Sequence, residues 1–142
     1  MILLDVNVLV TAHREDAEDH REIKSWLESA LRDPAGVAVS ELALSGCLRL
    51  ITHPKIFKKP TPLTQALEFV DNLRSRDEVH LLGPGAGHWK IFVDLCRRGD
   101  ARGNLVPDAF HAALAIELGC EWLTLNRGFA RFPGLKWRHP LD

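Results

Sequence analysis

The sequence has no tyrosine, one methionine and only three cysteines in 142 residues. Cys47, Cys96 and Cys120 are odd in number, widely spaced and never in a CxxC pair. That argues against a disulfide framework or zinc knuckle and fits a reducing, cytoplasmic setting. No apolar run approaches the ~20 residues of a membrane span. Met1-Ile2-Leu3-Leu4 meets Asp5 too soon to serve as the apolar core of a secretion signal. The seven histidines show no HExxH or paired spacing, which disfavours a zinc enzyme. Neither charge is in excess, with 18 Lys+Arg against 19 Asp+Glu and a net charge of −1. The broad basic surface of a protein held to nucleic acid by charge alone is therefore missing. A polyanionic substrate would have to be gripped locally or through a metal.

What is there is an ordinary globular composition, 46% hydrophobic and 26% charged, of a length that suits one domain over residues 1–142. Short apolar runs alternate with longer helical patterns. Ile2–Leu4, Val37–Val39, Val79–Leu82 and Glu121–Leu125 read as strands, with a short edge strand at Lys136–Arg138. Between them, His20–Leu31 carries Ile23, Trp26, Leu27 and Leu31 on one stripe. Ser40 is placed to cap a helix running to Leu50, and Thr61-Pro62 opens another whose Leu63, Ala66, Leu67, Val70 and Leu73 share a face. Further helices are expected from about Gly87 to Arg98 and from Pro107 to the stop at Gly119. Trp26, Trp89 and Trp122 read as core. Strands alternating with helices predict an α/β fold with a mainly parallel sheet flanked by helices. Functional groups in such folds gather beyond the carboxyl ends of the strands.

Asp5, Glu41 and Asn126 lie at or just past three predicted strand ends, and Asp108 falls in the first turn of the alanine-rich helix. Any one of these could merely cap a helix or favour its dipole. Together they point to one edge of the sheet. Carboxylates gathered in one cleft repel each other, and Mg²⁺ or Mn²⁺, which prefer oxygen ligands, relieves that repulsion. Such an ion polarises a phosphoryl oxygen and activates water, the chemistry of phosphodiester hydrolysis.

The segments Leu3-Leu4-Asp5-Val6-Asn7-Val8-Leu9, Ser40-Glu41-Leu42, Asn104-Leu105-Val106-Pro107-Asp108-Ala109, Leu123-Thr124-Leu125-Asn126-Arg127-Gly128-Phe129 and Arg131-Phe132-Pro133-Gly134-Leu135 occur in this order along the chain. In this the sequence resembles the PIN-domain ribonucleases, and among them the VapC toxins of bacterial type II toxin–antitoxin pairs. The resemblance implies a three-layer PIN fold and a metal-dependent endoribonuclease. Asp5, Glu41 and Asp108 would be the acidic metal ligands, with Asn126 assisting. It also implies a homodimer, a cognate VapB-type antitoxin that blocks the cleft, and inhibition of translation by cutting structured RNA such as tRNA or rRNA. The chain departs from the family where an aspartate is usual at Asn126 and another acid is often found at Gly128. With three carboxylates, a second metal should bind weakly.

Asn7, Arg127, Arg131 and Trp137 are the candidates for RNA contact, Trp137 as a stacking platform between Lys136 and Arg138. Two other readings stand beside this one: a PIN nuclease of RNA processing with no antitoxin, and a catalytically weak module that binds RNA or protein. The net charge hides an uneven distribution. Residues 1–33 hold four basic and eight acidic groups, whereas 126–142 hold four basic and one acidic.

Overall fold

The computed structural model describes residues 1–142. In chain order the elements are β1 (Ile2–Leu4), α1 (Val6–His13), α2 (His20–Arg32), β2 (Val37–Val39), α3 (Glu41–Ile51), α4 (Leu63–Arg74), β3 (Val79–Leu81), α5 (His88–Gly99), α6 (Leu105–Leu118), β4 (Glu121–Leu123) and β5 (Trp137–Arg138), with a 3-10 helix at Arg127–Arg131 before β5. The five strands form one sheet in the order β3-β2-β1-β4-β5. Every neighbouring pair is parallel.

Successive strand residues face opposite sides, and the core divides accordingly. Leu4, Val37, Val39, Val79 and Leu123 face a layer built from α1 to α4. Leu3, Ala38 and Trp122 face α5 and α6. On that second side Ala109, Ala112, Ala113 and Ala115 are all fully buried, so α6 lies close to the sheet while Trp122 fills the remaining volume.

Two of the crossovers begin with a side-chain cap. Asp5 accepts a 2.6 Å hydrogen bond from the Val6 N–H at the start of α1, and Ser40 Oγ accepts one of 3.0 Å from Ala43 N–H at the start of α3. Helix α6 starts two residues earlier than its proline suggests. Pro107 sits in the first turn, where backbone N–H groups have no intrahelical acceptor in any case. Gly36 is required as glycine: its φ is +66°, and a Cβ there would lie 2.1 Å from the Glu78 carbonyl oxygen.

Two expectations for aromatic residues change. Trp89 is 66% exposed, its ring tilted against Phe92 instead of entering the core. Trp137, the expected stacking platform, is half-buried in β5 and packs against the α5–α6 side of the core. The strand order reverses at β1, with β2 and β3 to one side and β4 and β5 to the other. The β1/β4 boundary is thus the topological switch point, where parallel sheets open a crevice.

Candidate active site

A cleft of about 550 Å³ opens at this switch point, lined by Asp5, Asn7, Asp108 and Asn126 together with His111 and one face of α3. Four of the residues singled out from the sequence therefore meet. Asp5 comes from the end of β1, Asn126 from beyond β4, and Asp108 from the first turn of α6.

Asp5 is 6% exposed and held on both oxygens. Its Oδ1 accepts from the Val6 N–H at 2.6 Å, and its Oδ2 accepts from the Thr124 hydroxyl, also at 2.6 Å. Thr124 Oγ1 in turn accepts from Asn7 Nδ2 at 3.2 Å and from the Asn126 N–H at 3.0 Å. One donor and two acceptor positions exhaust what a hydroxyl offers. Asn7 is fixed at its other end, where its Oδ1 accepts from the Leu125 N–H at 3.1 Å. Thr124, fully buried and easily read as sheet packing, is the hub that joins β1, α1 and the β4 exit.

Burial pushes the Asp5 carboxyl up from 3.8 to about 6, and the negative charge of Asp108 adds to the rise. The bonds from Thr124, Val6 and Asn7 pull the other way without cancelling it. Asp108 is also raised by burial, while Arg131 opposes the shift. These two carboxylates share a cleft and repel, and hard oxygen donors in that relation suit a divalent cation.

Glu41 is placed differently. Its side chain is 72% exposed and paired with Arg74 at 3.2 Å, away from the Asp5 cleft. No group of three or more His, Cys, Asp or Glu side chains is arranged to hold a metal. The expected trio of carboxylates is thus a pair. The face that α3 turns to the cleft is Leu42, Ser45, Gly46, Arg49 and Leu50, a helical stripe that carries no acid. Gly46 sits on that stripe because a Cβ there would meet the Val6 methyl groups at 3.0 and 3.4 Å.

Asn126 lines the cleft, and its Oδ1 accepts from the Gly128 N–H at 2.9 Å, capping the 3-10 helix. A Cβ at Gly128 would lie 2.9 Å from Asn126 Oδ1, so a larger residue at 128 requires the side chain at 126 to shift. Of the RNA-contact candidates, Arg127 is engaged with Asp142 through two bonds of 2.9 and 2.8 Å. Arg131 donates from Nε to the Gly128 carbonyl at 3.1 Å. His111 lies in the cleft wall at 7% exposure and stacks on Trp122 with ring centroids 5.3 Å apart. Its Nδ1 has no partner, and burial lowers its pKa to about 4, so the ring is neutral.

Residues 2–135 match the PIN domain family. The VapC ribonuclease Mb2897 of Mycobacterium bovis is 41% identical over 142 residues, covering 100% of this chain and 97% of that protein. The chain belongs to the PIN-domain family, among its VapC ribonucleases. Ribonuclease VapC25 of Mycobacterium tuberculosis is 36% identical to this PIN domain over 140 residues, covering 99% of each. Among solved structures, Mycobacterium tuberculosis VapC20, a sarcin-ricin-loop-cleaving toxin, matches with a TM-score of 0.72 at 16% identity, over 95% of this chain and 98% of that one. VapBC2 from Rickettsia felis, bound to a promoter DNA fragment, matches at 0.70 and 24% identity over 98% of both chains. At these identities the structural likeness concerns the fold. No helix of this PIN domain is long and apolar enough to cross a membrane.

Proposed function

We propose that this protein is a divalent-metal-dependent endoribonuclease, the toxin of a type II toxin–antitoxin pair, whose targets are structured RNAs such as tRNA or rRNA. The observation that carries the reading is the convergence of Asp5 and Asp108 in a cleft at the β1/β4 switch point. Membership of the VapC ribonucleases supplies the reaction class. Inhibition of translation would follow from cutting such RNAs.

The donor set fits Mg²⁺ or Mn²⁺: Asp5 and Asp108 would hold the ion, and Asn126 lines the same space. Glu41 is a donor only in a state where it leaves Arg74, and an exposed pair of that kind contributes little. When bound, a divalent ion neutralises charge on the scissile phosphate and acidifies water. The chain's own part is positional. Thr124 and the Val6 N–H fix both oxygens of Asp5, Asn7 holds Thr124 in register with the β4 exit, and the apolar rings of Trp122 and Phe129 back the cleft. The neutral His111 adds no positive charge there.

A VapB-type antitoxin as the partner that covers the cleft, a homodimeric assembly and a cytoplasmic location complete the proposal. The relatives' ribonuclease names, the VapBC neighbours and the three free thiols support it. Incubating the purified protein with total cellular RNA in Mg²⁺ or Mn²⁺, and mapping the new ends, tests the reading. Discrete cuts that vanish with EDTA and with Asp108→Asn are expected. Cleavage that survives both would overturn the metal mechanism. No cleavage by the unaltered protein would leave the binding-module reading, which the exposed position of Glu41 and the uncharged Asn126 favour.

A further inference from the structure

We infer that Arg49 is a substrate-binding residue that grips a backbone phosphate of the RNA, an inference that rests on the ribonuclease reading and adds to it the group that holds the polyanion. Three observations lead there. Arg49 lines the same cleft as Asp5 and Asp108, on the stripe that α3 presents to it. It is seven residues beyond Leu42, so its Cα lies about 10 Å along the helix from the cleft's α3 entrance.

Its charge is also free. Arg14, Arg74, Arg76, Arg98, Arg102, Arg127 and Arg138 each pair with a carboxylate, whereas Arg49 pairs with none. It has no side-chain hydrogen bond to the rest of the protein either, although two carboxylates share its cleft. A guanidinium left exposed in an acidic cleft, and not folded onto either acid, is available to an anion brought in from solution. Its planar fork matches two oxygens of a phosphate.

The remaining basic groups strengthen the assignment. Arg127 is engaged by Asp142, and Arg131 is bonded to the Gly128 carbonyl and acts electrostatically on Asp108. Beyond the end of α3 the chain enters a loop bearing Lys55, Lys58 and Lys59. Arg14 pins that loop, donating 2.8 Å to the Lys59 carbonyl and stacking 4.1 Å over the Phe57 ring. Arg49 is thus followed, six to ten residues along the chain, by an ordered loop bearing three exposed lysines. A protein of net charge −1 has its local grip on RNA here.

The test measures binding and cleavage separately, on the full chain. Anisotropy of a fluorescein-labelled, mixed-sequence RNA hairpin is titrated in EDTA at several salt concentrations. The proteins compared are the unaltered chain, Arg49→Ala, Arg49→Lys and the control Arg32→Ala; Arg32 is exposed and unpaired at the end of α2, ahead of β2 and so at the opposite edge of the sheet. Circular dichroism checks that each is folded. Arg49→Ala is expected to weaken binding about tenfold and to lower the slope of log affinity against log salt by about one. Arg49→Lys should keep the slope and recover only part of the affinity, and Arg32→Ala should match the unaltered chain. With Mn²⁺ present, Arg49→Ala should raise KM for RNA with kcat little changed.

Equal affinity and slope for Arg49→Ala and the unaltered chain would overturn the inference, while cleavage lost in Asp108→Asn would leave the nuclease reading standing. If the unaltered chain cuts no RNA but Arg49→Ala still weakens binding, the nuclease reading falls and the contact survives.

Discussion

Asp5 and Glu41 stand at the same edge of the sheet, just past the adjacent parallel strands β1 and β2, yet their surroundings are opposite. Asp5 is 6% exposed, bonded on both oxygens and raised to about 6. Glu41 is 72% exposed and tied only to Arg74. The difference is one residue of register. Asp5 is the cap that precedes α1, and its counterpart after β2 is Ser40, which is 3% exposed and caps α3. Glu41 is already the first residue of the helix, where the side chain leaves the strand axis and turns outward. A parallel sheet brings backbone positions together; one residue of register separates the buried cap from the exposed first residue of the helix.

The largest expected effect sets these two acids against each other in catalysis. Asp5→Asn and Asp108→Asn should each lower RNA cleavage by about a thousandfold or more, since each removes a charge that the metal chemistry needs. Glu41→Gln should cost less than about tenfold, because its pair with Arg74 is exposed. Rates on mapped RNA fragments in Mn²⁺ decide it. A loss for Glu41→Gln as deep as for Asp5→Asn would mean that Glu41 turns into the cleft when RNA or metal arrives.

Stability should separate the same pair in a metal-free protein. The folded state binds the Asp5 proton more tightly than the unfolded chain does, because burial raises its pKa from 3.8 to about 6. The contribution of this group is fully present below about pH 3.8 and is lost as pH rises through about 6. At about 1.4 kcal/mol per pH unit, the ionised carboxylate costs about 3 kcal/mol at neutral pH. Urea unfolding in EDTA should therefore show Asp5→Asn gaining about 2–3 kcal/mol on the unaltered chain between pH 4 and pH 8. Glu41→Gln, at an exposed pair, should change stability by less than about 0.5 kcal/mol at neutral pH. A flat difference for Asp5→Asn would show that the carboxyl titrates normally.

Metal affinity follows from the same proton. Below about pH 6 a cation must displace it from Asp5. Calorimetric titration with Mn²⁺ should show affinity falling by up to about tenfold per unit as pH drops from 6 to 5. Affinity that stays constant over that interval would place the ion elsewhere.

The layout of the fold was legible because its signals are local and periodic. The alternation at Leu3, Leu4, Ala38 and Val39 fixes two faces, and Ser40 and Gly119 mark helix ends. Asp5 and Asp108 were legible as strand-end and first-turn acids. Thr124 was not, because its hydroxyl matters through Asp5, Asn7 and Asn126, partners that sequence separation conceals. Arg49 was hidden among helix residues, since only the packing of α3 against α1 at Gly46 and Val6 says which stripe faces the cleft. Trp89 misled by composition: an apolar ring at helical spacing reads as core, and here that side of α5 is the outside.

The smallest expected effect concerns the position that does have a cap and does reach the cleft. Asn126 occupies beyond β4 the role that Asp5 holds beyond β1: each caps the helix that follows, and each lines the cavity. Asn126→Asp would make the two exits chemically alike. The new carboxylate keeps an oxygen for the Gly128 N–H, at the favourable amino end of the 3-10 helix. Its surroundings differ from those of Asp5, because Asn126 is exposed to the cleft and no desolvation comparable to that at 6% exposure forces a proton onto it. The added charge should therefore be available to a cation, tightening Mn²⁺ by about threefold to tenfold at neutral pH. It should also raise Asp5 further, as Asp108 already does across the same space. Tighter binding with a steeper pH dependence is the joint signature in the calorimetric titration. Identical Mn²⁺ isotherms for the two proteins would mean that the amide at 126 is a cap alone, and that Asp5 and Asp108 hold the metal without it.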